Sequence, residues 1–368
     1  MVPVSHFYLQ ILIMSNDINK QYEARHLADI QKYQKQIELL YRKVIANIYK
    51  EATNLKPKGN TFSITDFPDF NKKVDKILLQ FTKDVDLTLV NGVKGQWELS
   101  TEKNGAVIHQ HYGSSKISDK VNKIIYNPNT AALEHFISQK TAGLNLSDRV
   151  LKYTSQLQGQ IEQNLFAGIS EGKSAVAMAR DQVSYMQNPE PLFRRVKYIT
   201  DNGKAKLRLS KPAQKYYSEL GAPGQGVYRS PFKNFMRITR TVTNDGYRQA
   251  DMVRYKTLPF VLGYQVNLSN NHPKVDICDS LQGVYPKWFL WLKWHVHCLC
   301  YCIAKLATPE EYDRYEQAIL DGTDKNFKFK DVINTLPVNF VSYVNDNAGK
   351  MDNWKRKPEW VTNNEIKI

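Results

Sequence analysis

Residues 231–268, PFKNFMRITRTVTNDGYRQADMVRYKTLPFVLGYQVNL, change hydrophobic period partway along. Phe232, Phe235, Ile238, Val242 and Ala250 recur at helical spacing, whereas Phe260, Leu262, Tyr264, Val266 and Leu268 alternate with their neighbours as strand residues do. Pro259 stands at the change, where a proline ends a helix and can open a strand. A helix delivered into a strand, after a long helical prelude, predicts an α+β fold: a predominantly helical N-terminal region and a C-terminal mixed domain with a small antiparallel sheet. The same helix carries Arg237, Arg240 and Arg248, read as contacts for a partner or nucleic acid, with ordinary ion-paired surface charges as the alternative.

Upstream, Leu27, Ile30, Ile37, Tyr41, Val44 and Ile48 predict one long amphipathic helix. Val74, Ile77, Leu78, Phe81, Val85 and Leu89 predict a second, expected to close near Asn91-Gly92 because glycine takes the left-handed conformation that ends helices. The periodicity weakens from Trp97 to Asn129, which reads as a connection holding one short helix at Lys120 to Tyr126. Helix resumes over Leu133 to Gln139. Another starts at Leu146-Ser147-Asp148 with Ser147 as its N-cap, breaks at Gly168 and Gly172, and is followed by a helix from Lys173 to Met186. Asn188-Pro-Glu-Pro191 marks a boundary, and Asp201-Asn-Gly203 centres a hairpin over Val196 to Leu209. The expected organisation is 1–13 as an extension upstream of a start at Met14, 14–190 as the helical region, 191–308 as the mixed domain, and 309–368 as a helix from Pro309 to Asp321 plus a polar, partly mobile tail.

The chain has 368 residues, enough for about two domains, and 51 Lys+Arg against 36 Asp+Glu give a net charge of +15. Such a field attracts polyanions, so double-stranded DNA is a candidate partner, although the cations are spread along the chain. The apolar run Phe7 to Ile13 lacks the preceding cations of a secretory signal, and no stretch approaches a membrane helix, so a soluble protein made inside the cell is expected.

The sequence offers no convincing catalytic constellation. Gly168-Ile-Ser-Glu-Gly-Lys-Ser174 superficially resembles a phosphate loop, but Ala167 stands where its first glycine belongs and the preceding residues are helix-periodic. Gly221 to Gly226 lacks dinucleotide-loop spacing, and no His-Glu-x-x-His pair occurs.

The four cysteines, Cys278, Cys298, Cys300 and Cys302, crowd into one stretch with His272, His295 and His297. Cys278, His295, Cys298 and Cys300 offer the thiolate and imidazole ligands that zinc takes in a tetrahedral site. Two features weigh for the other reading, small buried thiols beside Trp288, Trp291 and Trp294. Val275 stands where a paired Cys-x-x-Cys would need its first cysteine. On an extended strand Cys298, Cys300 and Cys302 would also face away from His295 and His297, so a turn near His297 is required to bring them together.

Three segments in order carry a family resemblance: RRVKYITDNGKAKLRLS at 194–210, GVYRSPFKNFMRITRTVTNDGYRQAD at 226–251, and Leu258 onward through HPKVDICDSLQGVYPKWF to WHVHCLC, ending at Cys300. Together they resemble the phage Mu protein F-like minor head proteins. The family's Arg-Thr-Glu is Arg240-Thr241-Val242 here. Its closing His-Pro-x-Cys-Arg-Cys is matched by His295-Val296-His297-Cys298-Leu299-Cys300, which keeps the histidine and both cysteines in a divergent copy. The resemblance implies a non-enzymatic protein of phage head morphogenesis. Such a protein would associate with portal and capsid proteins, lie inside the virion near the portal after assembly in the bacterial cytoplasm, take part in DNA packaging or ejection, and have no membrane partner. The alternative is an effector or toxin enzyme delivered with the genome, of nuclease or ADP-ribosyltransferase type, for which the sequence beyond Thr308 leaves little room.

Overall fold

The structure, a computed structural model, describes residues 4–53, 55, 62–141, 143–189, 195–209, 230–269, 275–354 and 357–366. Helices α1 (Val4–Ala52), α2 (Pro68–Tyr112), α3 (Asp119–Ile125), α4 (Thr130–Ser138), α5 (Leu146–Ser170) and α6 (Ala175–Tyr185) precede a hairpin of β1 (Arg195–Ile199) and β2 (Ala205–Leu209). Helix α7 (Pro231–Thr257) leads into β3 (Val261–Asn267), and α8 (Ile277–Leu281), β4 (Gly283–Tyr285) and β5 (Tyr301–Leu306) follow. Helices α9 (Pro309–Leu320), α10 (Val338–Asp352) and α11 (Glu359–Thr362) end the chain. The fold is α+β, mostly helical, with β4, β3 and β5 forming a three-stranded antiparallel sheet in that order.

Two compact units interleave in sequence. The first comprises Met1–Ile30, Gly92–Ile137 and Thr241–Ile368, the second Gln31–Asn91 and Ser138–Arg240. In the second, Ile37, Tyr41, Val44, Ile48, Val74, Leu78, Phe81, Val85, Val150, Leu157, Ile161 and Phe235 are buried, which accounts for the 3.6-residue period of their helices. Tyr41 stands edge-on to Phe81 and Phe232. The β1–β2 hairpin belongs to this unit and turns where expected, with Gly203 at φ +70°.

Several boundaries differ from expectation. Helix α2 does not stop at Asn91-Gly92 but continues to Tyr112 through a buried Gly92. Its inward positions beyond Trp97 include Ser100, Lys103 and Asn104, polar residues that bond to buried Asp251, so an apolar stripe fades while the helix persists. The cap of α5 is Asn145, whose Oδ1 accepts from the Asp148 backbone at 2.8 Å, and Ser147 donates instead to Asp86. Gly168 lies inside α5, where a Cβ would meet the Met178 side chain at 2.3 Å. Gly172, at φ +69°, follows the helix end, and Ser174 caps α6, an ordinary helix–helix junction. The tail beyond Leu320 is not merely polar: α10 and α11 bury Phe340, Met351 and Trp360 in the core of the first unit.

Helix α7 starts on Pro231, a favoured first helical residue, behind Ser230, whose Oγ accepts from the Lys233 backbone. Strand β3 carries a register irregularity between Val261 and Gly263. Any Cβ at Gly263 would stand 2.7 Å from the Tyr285 carbonyl oxygen and 2.8 Å from Ile333 Cδ1. Gly263→Ala is therefore expected to cost about 1–3 kcal/mol through overpacking, measured as a lowered urea midpoint at unchanged slope.

Candidate metal centre

Sheet register brings the cysteines together. At the C-terminal end of β3, Val266 pairs with Gly283 of β4 on one side and Cys302 of β5 on the other. The segments entering β4 and β5 therefore emerge at the same edge: α8, which holds Cys278, and the stretch that holds Cys298 and Cys300. Helix α8 is set by Asp276, whose Oδ1 accepts from the Cys278 backbone at 2.7 Å while its own N–H donates to Asp279. The stretch before β5 turns tightly, with Cys298 N–H donating to the His295 carbonyl at 3.2 Å and His297 at φ +69°. That turn breaks the strand alternation which, on an extended chain, would have held histidine and cysteine apart.

The result is a buried group of three sulfurs, Cys278, Cys298 and Cys300, all within 4.8 Å of one another. Cys278 Sγ lies 3.7 Å from Cys298 Sγ, and all four cysteines are free. A second group shares Cys278: His295 Nε2 lies 3.1 Å from its sulfur and 3.1 Å from Asp276 Oδ2. His295 Nδ1 faces the Val296 carbonyl at 2.8 Å, and a carbonyl only accepts, so Nδ1 carries the hydrogen and Nε2 is turned toward the sulfur. A sulfur and a carboxylate oxygen thus face one imidazole nitrogen.

The thiols also influence one another. The contacts with Cys278 and then Cys300 pull the Cys298 thiol well below its ordinary range against the opposing push of burial, and the same contact with Cys298 pushes Cys278 up. Three buried sulfurs, with an imidazole beside Cys278, form a donor set that fits a thiophilic metal ion. The cysteines are thus buried, as the apolar reading required, and also gathered as a ligand group.

Cys302 is not a member. Its Sγ lies 3.5 Å from Asp251 Oδ2 and 3.8 Å from the Tyr255 hydroxyl. Val275 is 88% exposed, His272 falls outside the described residues, and Trp288 is half exposed whereas Trp291 and Trp294 are buried. The residue that sequence reasoning missed is Asp276, whose signal was the Asp-x-x-Asp capping box around Cys278.

The arginines of α7 lie elsewhere. Arg248 was expected to meet a partner or nucleic acid, but it is buried, with a two-pronged bond to Glu23 at 2.7 and 2.6 Å. Arg237 and Arg240 are half-buried. Arg248 belongs to a second polar cluster. Asp251 accepts from Ser100, Lys103 and Asn104 at 2.6–2.7 Å, and His26 stacks on Tyr247 with ring centroids 4.2 Å apart. Burial pushes the Asp251 carboxyl up, but Lys103 and Arg248 outweigh that and hold it below its usual range; Arg248 does the same for Glu23. The cluster joins α1, α2 and α7 within the first unit.

Among the described residues, no helix is long and apolar enough to cross a membrane. No family model, no curated protein and no solved structure matches the chain.

Proposed function

We propose that this protein is a phage minor head protein that acts in head morphogenesis at the portal. In this reading it resides inside the virion near the portal, is made in the host cytoplasm, and has portal and capsid proteins as partners. The observation that supports it is the placement of the segment which closes the family resemblance: His295 to Cys300 turns onto Cys278 and gathers the ligand group, so the residues carrying the resemblance are also those that shape the sheet edge. The cofactor of this reading is zinc, held by the Cys278, Cys298 and Cys300 sulfurs, with His295, whose Nε2 lies 3.1 Å from the Cys278 sulfur, as the fourth ligand. It would supply a fixed cross-link between α8 and the entry to β5, and a four-ligand set leaves no open position for substrate, in keeping with a non-enzymatic role.

The test is recovery of the tagged full-length chain from phage-producing cells and from purified heads. Portal and capsid proteins are expected to co-purify with it. Recovery solely as a free monomer, with no head component, contradicts the proposal.

A further inference from the structure

The sequence places its candidate DNA contacts on α7, yet Arg248 is buried and Arg237 and Arg240 are half-buried. A basic surface lies on α1. Between Gln31 and Lys50 the exposed positions of α1 carry Lys32, Lys35, Arg42, Lys43 and Lys50, and no exposed acidic residue occurs there among the described residues. Glu38 is turned inward to 24% side-chain exposure and is paired with both Lys35 and Arg42. The exposed neutral positions of this stretch are Gln31, Gln36 and Asn47, side chains able to bond phosphate and sugar oxygens, together with the apolar Leu39 and Ala46.

The neighbouring surface differs. On α2, exposed Lys72, Lys73, Lys76 and Lys83 are interleaved with exposed Asp69 and Asp75 and half-buried Asp84 and Asp86. Over this stretch α1 carries a single, half-buried acid, Glu38, whereas α2 sets exposed acids among its cations. At about 1.5 Å per residue, Lys32, Lys43 and Lys50, which share one side of the helix, span about 27 Å. That length covers about eight phosphates of one strand at 3.4 Å each.

We propose that this face of α1 is a sequence-independent docking surface for the phosphate backbone of double-stranded DNA. It rests on the reading of the protein as one that meets DNA inside the head, and it assigns the contact to a face distinct from the ligand group and from α7.

The test uses the full-length chain, a fluorescent duplex of scrambled sequence, and anisotropy titrations across salt concentrations. The wild type is expected to bind at low salt with a log–log slope of about −4.5, from about five neutralised phosphates at about 0.9 each. Replacing Lys32, Lys43 and Lys50 with glutamine is expected to flatten the slope by about 3 units and weaken low-salt binding at least about tenfold. The same number of charges removed from α2, by Lys72→Gln, Lys76→Gln and Lys83→Gln, is expected to leave slope and affinity near wild type. Equal loss in both triple variants overturns the proposal, because attraction would then follow net charge alone. Absence of wild-type binding at low salt also overturns it, as does an α1 face that retains an acidic head protein but no duplex. Head association is scored by co-purification without DNA, so either idea can fail while the other stands.

Discussion

Cys298→Ser is expected to abolish stoichiometric zinc and to destabilise the first unit by on the order of 5 kcal/mol, less than the roughly 10–16 kcal/mol with which small zinc-finger peptides hold the ion. The reduction follows from size: that unit also buries an aromatic core including Tyr285, Phe289, Trp291, Trp294, Phe340 and Trp360, so it does not depend on one cross-link as a minimal finger does. Equilibrium urea unfolding and metal analysis on the same preparations check this. Adding a chelator should lower the wild type to the stability of the variant and leave the variant unmoved. Cys302→Ala should keep its metal, because Cys302 faces Asp251 and Tyr255 instead of the ligand group. If Cys302→Ala and Cys298→Ser lose equal stability with no metal in either protein, the thiols act as core groups alone.

The second large effect is expected at Asp251. Asp251→Ala removes the acceptor of Ser100, Lys103 and Asn104 and leaves the buried Lys103 charge without its carboxylate, a loss of about 3–5 kcal/mol. It also has a pH signature. The folded carboxyls of Asp251 and Glu23 lie below their ordinary values, so the unfolded chain binds their protons first. Their contribution is full above the unfolded carboxylate range, about 4, and is lost as pH falls through the lower folded values. His26 is also held low, by burial first and by the Arg248 charge second, so its share begins to be lost as pH falls below about 6.5. Stability should therefore decline in two stages on acidification, and Asp251→Asn should flatten the second. A profile of Asp251→Asn parallel to wild type below pH 4 would contradict this.

The parts of the fold legible in the sequence were those where apolar period and burial coincide. The stripes of α1 and α5 are examples; the turn at Gly203 was legible from its residue types, and β3 was legible as a strand although Val261 and Gly263 between its alternating residues are buried too. Where the interior is polar the period fails, as along α2 beyond Trp97, where Ser100, Lys103 and Asn104 face Asp251. Arg248 misled for the same reason: an arginine on a helix reads as exposed until a distant carboxylate, here Glu23, is brought beside it. The ligand group was legible as residue types but not as geometry. Strand alternation is a rule for extended backbone, and a positive φ at His297 suspends it; only pairing of β4 and β5 on either side of β3 places Cys278 beside Cys298. Asp276 was hidden because a capping residue and a group beside a metal ligand look alike in one dimension.

X-ray absorption at the zinc edge of the wild-type protein, purified without added metal, tests the central claim most directly. One zinc per chain is expected, with three sulfur neighbours at about 2.3 Å and one nitrogen at about 2.0 Å. Protein that carries no stoichiometric metal, or a zinc surrounded only by nitrogen and oxygen, would contradict the assignment to Cys278, Cys298, Cys300 and His295.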